Sequence, residues 1–271
     1  MNHQQVKHIS NDHYKKIKKD IEQVSGGFDL EAIHRLRVEY KKLRAFFRML
    51  SAGKNSDEEI RVPKKLKKYY AISGNIRDLQ LQQQRILEVA KQMAKRPTVY
   101  LRLLQGEIEK LKPELIEIAL EDPVTESKKK TDPLLPDKFD LSWFTEYIRH
   151  KWAAINGFLL AGNFSDDNIH AIRKLLKDLF YNVKEYKGAK HKTIAAATLN
   201  GRNENYFESL LNELGRFQDQ CTAIALLKNY WINSLNTYNK EWLENLKKQW
   251  IKDKVKMKQV LIRKIKNDLL F

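Results

Sequence analysis

Apolar residues recur at three- and four-residue intervals along nearly the whole chain. In the stretch 29–51 they fall at Leu36, Tyr40, Leu43, Phe47 and Leu50. A helix turns about 100° per residue, so this spacing builds one apolar face. The same reading predicts helices over 3–24, 29–51, 63–94, 97–121, 140–162, 166–187, 203–234 and 238–268. Asp29 is placed to cap the second helix, and Ser165 or Asp166 the sixth. Pro63 and Pro97 stand where first-turn prolines belong. Gly26-Gly27 and Gly162-Asn163 break the chain before the second and sixth helices, whereas Gly74 and Gly215 interrupt their own helices as close-packing points or kinks. Residues 123–139 contain Pro123, Pro133 and Pro136, show no helical period and read as a linker. It separates four helices in 1–122 from four in 140–271. The expected fold is all-α: two four-helix bundles related by a pseudo-twofold, with a basic cleft between them.

The polar side of two of these helices changes the picture. With His34 at zero, Arg37, Lys41, Arg44 and Arg48 fall at roughly −60°, −20°, −80° and −40°. One face is core, and the other is almost purely cationic. The pattern repeats at His170, Arg173, Lys177 and Lys184, with Tyr181 beside them and Ile172, Leu175, Leu176, Leu179 and Val183 opposite. Phe180 takes the place of Arg44, so the second stripe is one cation poorer. A solvated helix face usually alternates signs at i,i+4. Here like charges stack, in both copies, which points to an external anion. Arg35, Lys42, Arg77 and Lys174 flank the stripes as outlying candidates. Arg61, Lys64, Lys65 and Lys68 form a further cluster, and Arg202 stands to Gly215 as Arg61 stands to Gly74.

Composition sharpens this. The chain has 271 residues, 42% of them hydrophobic, with only 10 Gly and 6 Pro, which suits a globular helical protein. The net charge is +17, split as +9 over residues 1–139 and +8 over the rest. An excess shared by both halves, not carried on a tail, suggests nucleic acid, an anionic membrane surface or another polyanion as partner. Cys221 stands alone, which excludes an intrachain disulfide and a cysteine zinc cluster. The first residues, Met1 to Gln5, lack an apolar signal core, and no run of about 18 apolar residues occurs. The expected location is cytoplasmic.

The stripe residues bring the chain to a known family. His34-Arg35-Leu36-Arg37-Val38-Glu39-Tyr40-Lys41-Lys42-Leu43-Arg44 resembles the signature of the CHAD family, the conserved histidine α-helical domains. Gly74-Asn75-Ile76-Arg77-Asp78-Leu79 looks like the family's second segment, and Leu214-Gly215-Arg216-Phe217-Gln218-Asp219 like its echo. The second stripe departs from the pattern at Phe180 and Lys174. The resemblance implies two four-helix bundles flanking a basic groove or pore. It also implies binding of inorganic polyphosphate through the histidine and arginine stripes, with association with polyphosphate granules as a further expectation.

Two other classes compete with that expectation. A phosphohydrolase needs an activated nucleophile or metal-holding carboxylates, and Asp78 and Asp219 are the only paired acids the repeats offer. No P-loop string and no His-x-x-x-His pair is present, so no catalytic residue, metal or cofactor is expected. A nucleic-acid binder usually interleaves exposed aromatics with its cations. The aromatic residues here fall mostly at core spacing, which makes nucleic acid the weaker competitor.

Overall fold

The computed structural model describes residues 1–52, 59–92, 97–187 and 203–269. The first half holds α1 (His3–Gly27), α2 (Leu30–Ala52), α3 (Lys64–Val89) and α4 (Thr98–Leu120). Then come α5 (Pro123–Thr131), α6 (Leu141–Ala161), α7 (Asp166–Lys187), α8 (Glu204–Leu226), the short α9 (Asn229–Asn233) and α10 (Thr237–Leu269). Among the described residues the only β feature is one antiparallel bridge, Asn2 to Lys138. The fold is all-α, as expected.

Local chemistry sets the boundaries. Asn2 and Gln5 cap α1 reciprocally: Asn2 Oδ1 accepts from the Gln5 amide at 2.9 Å, and Gln5 Oε1 from the Asn2 amide at 3.0 Å. Phe28 ends that helix in the left-handed region at φ 53°. Asp29 then caps α2 through the Ala32 amide at 2.8 Å. Of the two candidates for α7, Ser165 makes the cap, accepting from the Asn168 amide at 3.1 Å. Gly162 closes α6 at φ 64°, a conformation that favours glycine. Pro63 and Pro97 precede their helices as the capping residues rather than sitting inside the first turn.

Three elements differ from the sequence reading. The segment 123–139 is not irregular throughout: α5 starts on Pro123 and is capped by Asp122, and a 3₁₀ turn follows at Asp132–Leu134. Val124, Ser127 and Thr131 supply its buried face. Their spacing is helical, but only Val124 is apolar, too little to read as a stripe. Thr131 is fixed by Tyr14, hydroxyl to hydroxyl at 2.9 Å. The helix expected over 203–234 breaks after Leu226 and resumes as α9. The one expected over 63–94 ends at Val89, with a 3₁₀ turn at Ala90–Gln92.

Within the first half α1 packs on α2, α2 on α3, and α3 on α4. In the second, α6 packs on α7, α7 on α8, and α8 on α10. Across the halves α2 meets α7 and α3 meets α8. The apolar stripe of α2 is buried as the periodicity requires: Leu36, Tyr40, Leu43, Phe47 and Leu50 are all at most 1% exposed. Each such side chain contributes roughly 1.5–3 kcal/mol by leaving water. Ile172, Leu176, Leu179 and Val183 do the same for α7. Polar bonds tie the halves together: Asn182 Nδ2 donates to the Ala45 carbonyl at 2.9 Å and to the Tyr147 hydroxyl at 2.8 Å. With their apolar faces committed to the core, α2 and α7 turn their cationic faces toward each other.

Candidate functional site

Between α2, α3, α7 and α8 lies a cavity of about 440 Å³. Seven Lys and Arg side chains line it: Arg37, Lys41, Arg44, Arg77, Arg173, Lys174 and Lys177. His34, His170, Tyr70, Tyr181, Gln218 and Thr222 complete most of the wall, with three aspartates, Asp78, Asp178 and Asp219. Both stripes therefore converge on one space.

Residues at equivalent positions of the two halves face each other. Lys41 and Lys177 repel each other, and Asp219 raises the pKa of Asp78. Repeated positions of the two halves thus lie within electrostatic reach of each other. The first arginine of each stripe is seated on a glycine. Arg37 lies across Gly74 so closely that a Cβ there would stand 2.0 Å from its Nη1. Arg173 lies across Gly215, where a Cβ would stand 3.3 Å from its Nη2. Gly74 and Gly215 are thus close-packing points, and what packs on them is a guanidinium. Arg37 also donates to the Tyr70 carbonyl at 2.6 Å and stacks over the Tyr70 ring at 4.3 Å. Tyr70 in turn stacks on Tyr40, centroid to centroid at 4.1 Å.

The cavity's cationic side chains are crowded, and its three aspartates offset them only in part. Among the described residues, none of the seven cations is within 4 Å of a carboxylate oxygen, and neither is His34 or His170. The Nε atoms of Arg44, Arg77 and Arg173 are buried with no hydrogen-bond partner. Orphan buried donors of this kind cost about 1–3 kcal/mol each. Burial, followed by repulsion from Lys177, Arg37, Arg173 and Arg77, pushes Lys41 down to about 6. Burial and Arg173 push Lys177 down to about 8, against an opposing pull from Asp219. His34 and His170 are lowered too, by burial first and then by neighbouring cations. Asp78 is raised, because burial outweighs the attraction of Arg37 and Arg77.

The remaining candidates sit elsewhere. Arg48 is turned to Asp178 at 2.6 Å, bridging α2 to α7 beside the cavity. Lys184 pairs with Glu208 and lies over the Phe180 ring. Phe180 is buried and stacks on Phe207, so the second stripe has core where the first has Arg44. Lys42 is held by Glu39 at 2.7 Å. Arg35 bonds to Asp20 and Gln23 in a separate recess between α1 and α2, of about 500 Å³ and mixed charge. Arg61, Lys64, Lys65 and Lys68 line another, where Arg61, Lys65 and Lys68 pair with Glu59, Glu121, Glu126 and Glu114. Arg202 lies outside the described residues. Sequence reasoning missed Tyr70, Gln218 and Thr222. Tyr70 stands four residues before the glycine on which its partner Arg37 rests, and Gln218 stands within the second glycine–aspartate segment.

The CHAD family model matches residues 8–228, which contain both stripes and both glycine–aspartate segments. The chain belongs to the CHAD family. A crystal structure of the CHAD domain from the plant Ricinus communis is similar, with a TM-score of 0.64 over 99% of this chain and 89% of that one, at 16% identity. That likeness supports the CHAD fold, and it extends over α10, which lies beyond the matched residues 8–228. No curated protein matches the chain. Among the described residues of this CHAD domain, no helix is long and apolar enough to cross a membrane.

Proposed function

We propose that this CHAD domain binds inorganic polyphosphate in the cavity between its halves, without hydrolysing it. One observation carries the reading. The cavity concentrates seven Lys and Arg side chains with no carboxylate within 4 Å among the described residues, although cations on the outer surface are repeatedly paired. Such an arrangement is stabilised when an anion supplies the missing charge and acceptors. Arginine chelates phosphate oxygens in a bidentate fashion, and lysine adds compact charge. Polyphosphate carries charge without bases. The cavity wall has tyrosines, but Tyr70 is stacked between Arg37 and Tyr40 and so is already occupied. That favours a ligand recognised by phosphate alone over nucleic acid.

The test is a titration of long-chain polyphosphate, DNA and single-stranded RNA of matched charge at one physiological salt concentration. Polyphosphate is expected to bind most tightly, with affinity falling steeply as salt rises because counterions are released. Equal or stronger binding of the RNA would replace the reading with nucleic-acid binding. Steady phosphate release with Mg²⁺ or Mn²⁺, abolished by Asp78→Asn or Asp219→Asn, would make the domain a phosphohydrolase. A cytoplasmic protein attached to polyphosphate granules is the cellular setting this reading favours.

A further inference from the structure

The last helix carries a second, separate set of cations. α10 commits its apolar side to the core through Leu243, Leu261, Ile265 and Leu269. Its less exposed lysines have partners there. Lys254 and Lys258 hold Asp166 at 2.8 and 2.7 Å, Lys264 holds Glu213 at 2.6 Å, and Lys247 donates to the Leu227 carbonyl at 2.8 Å. The outward face is different. With Lys248 at zero, Lys252, Lys256, Arg263 and Lys266 fall at roughly 40°, 80°, 60° and 0°. All five are exposed, and among the described residues none is in an ion pair, although Lys266 leans over the Phe164 ring at 5.2 Å. From Asn245 to Asn267 no exposed residue is acidic. Asp253 and Asp268 are half-buried and bonded to Gln249 and Tyr206. Glu244, also half-buried, stands one turn before Lys248. The row runs about 27 Å along the helix at 1.5 Å per residue. Aliphatic side chains flank it: Ile251 and Val255, 40% and 47% exposed, at roughly −60° and −20°, and Val260, 59% exposed, at roughly 120°. A solvated helix face usually mixes signs at i,i+4 and favours unbranched helix formers. This one stacks Lys248, Lys252 and Lys256 at i,i+4 and interleaves three β-branched residues.

We propose that the outer face of α10 docks the domain on an anionic lipid surface. Charge complementarity selects a polyanion, and the exposed aliphatics select among polyanions. A bilayer offers anionic headgroups with acyl carbon beneath them. A soluble phosphate chain or a nucleic-acid backbone would leave Ile251, Val255 and Val260 in water. The helix lies along the surface rather than entering it, because its apolar side is already buried in the fold. No residue of α10 lines the cavity, so lipid docking and ligand binding in the cavity are separable.

The experiment is co-sedimentation of the full chain with vesicles of phosphatidylcholine alone, and of equal parts phosphatidylcholine and phosphatidylserine, at physiological salt. Binding is expected to the mixed vesicles only, and to fall as salt rises. No binding to them would overturn the proposal. Lys248→Gln/Lys252→Gln/Lys256→Gln should weaken binding at least about tenfold. Lys7→Gln/Lys15→Gln/Lys129→Gln removes the same charge from exposed positions on α1 and α5 and should weaken it far less. Equal losses in the two variants would mean attraction by net charge alone and overturn the docking face. Ile251→Gln/Val255→Gln should weaken binding about threefold, and full binding by this variant would overturn the lipid assignment. Arg37→Ala/Lys41→Ala should dock as the wild type does, and its failure would move the lipid contact from α10 to the cavity. If the α10 lysine variant loses duplex DNA or long-chain polyphosphate but keeps the mixed vesicles, the row serves a soluble polyanion and the proposal fails.

Discussion

Glycine 74 has its place because of a side chain thirty-seven positions earlier in the sequence. Its missing Cβ leaves the space in which the Arg37 guanidinium lies. Gly74→Ala would push that guanidinium off the Tyr70 carbonyl and ring, since the end of an arginine moves more easily than a helix backbone. We expect weaker polyphosphate binding by about tenfold, on the scale of one or two charged hydrogen bonds of roughly 1.5–3 kcal/mol, discounted for screening. Gly215→Ala meets Arg173 only at 3.3 Å. There the helix gains about 0.5–1 kcal/mol from alanine, so stability should hold or rise and binding change little. Titration and melting of both variants check this, and equal effects at the two sites would refute it. Lys41 carries a second residue-scale consequence. Its folded pKa of about 6 lies below the unfolded 10.5, so between those values the unfolded chain holds the proton and the ligand-free fold does not. For this group, ligand-free stability therefore rises with pH through that window. A bound polyanion restores the proton. Binding at pH 7 should thus take up about one proton, and affinity should climb as pH falls from 8 toward 6. Calorimetry in buffers of differing ionisation enthalpy measures the uptake, and a value of zero at pH 7 would mean that Lys41 is already charged.

At the scale of elements, α2 and α7 are the two arms of the site, and they are unequal. Arg44 on α2 reaches the cavity, whereas Phe180 on α7 is core against Phe207. Arg37→Ala/Lys41→Ala should weaken long-chain binding at least about tenfold, and Arg173→Ala/Lys177→Ala by less, given charged bonds of roughly 1.5–3 kcal/mol each before screening. Neither pair should cost much stability, because both remove buried charge that lacks a carboxylate partner. Titration and melting of the two double variants measure this. If the α7 pair binds long chains as well as the wild type, the site belongs to the first half alone. The two stripes and their inequality were legible from periodicity, whereas their meeting in one cavity follows from the packing of α2 on α7, which periodicity does not fix. The stripe ends were less legible. Angles on a helical wheel put Arg48 with Arg37, yet Arg48 bonds to Asp178 on α7, which only tertiary structure brings near. α5 escaped for a different reason. Its buried face is Val124, Ser127 and Thr131, and a helix that docks through hydroxyls leaves no apolar stripe to read.

At the scale of the molecule, the halves share one core and one cavity, and the ligand contacts both. The buried set runs without a break from Val6 in α1 to Leu269 in α10. Asn182, Gln82 and Arg85 add bonds across the divide. Such a chain should unfold in a single transition rather than half by half. The ligand-free protein carries a formal charge of +17, and among the described residues its cavity cations make no ion pair, so repulsion within the fold opposes its stability. A phosphate oligomer relieves that strain and adds binding energy to the folded state alone. At a hundred times its dissociation constant, a single-site ligand contributes about 2.7 kcal/mol. For a chain of this size that amounts to a rise in Tm of roughly 5–10 °C. Millimolar tripolyphosphate provides the test, being dilute enough that general salting effects stay small. The whole transition is expected to move upward as one, and to move far less in Arg37→Ala/Lys41→Ala. Two transitions of which only one shifts would mean that the halves fold independently, and that the cavity cations of the two halves do not act on a common anion.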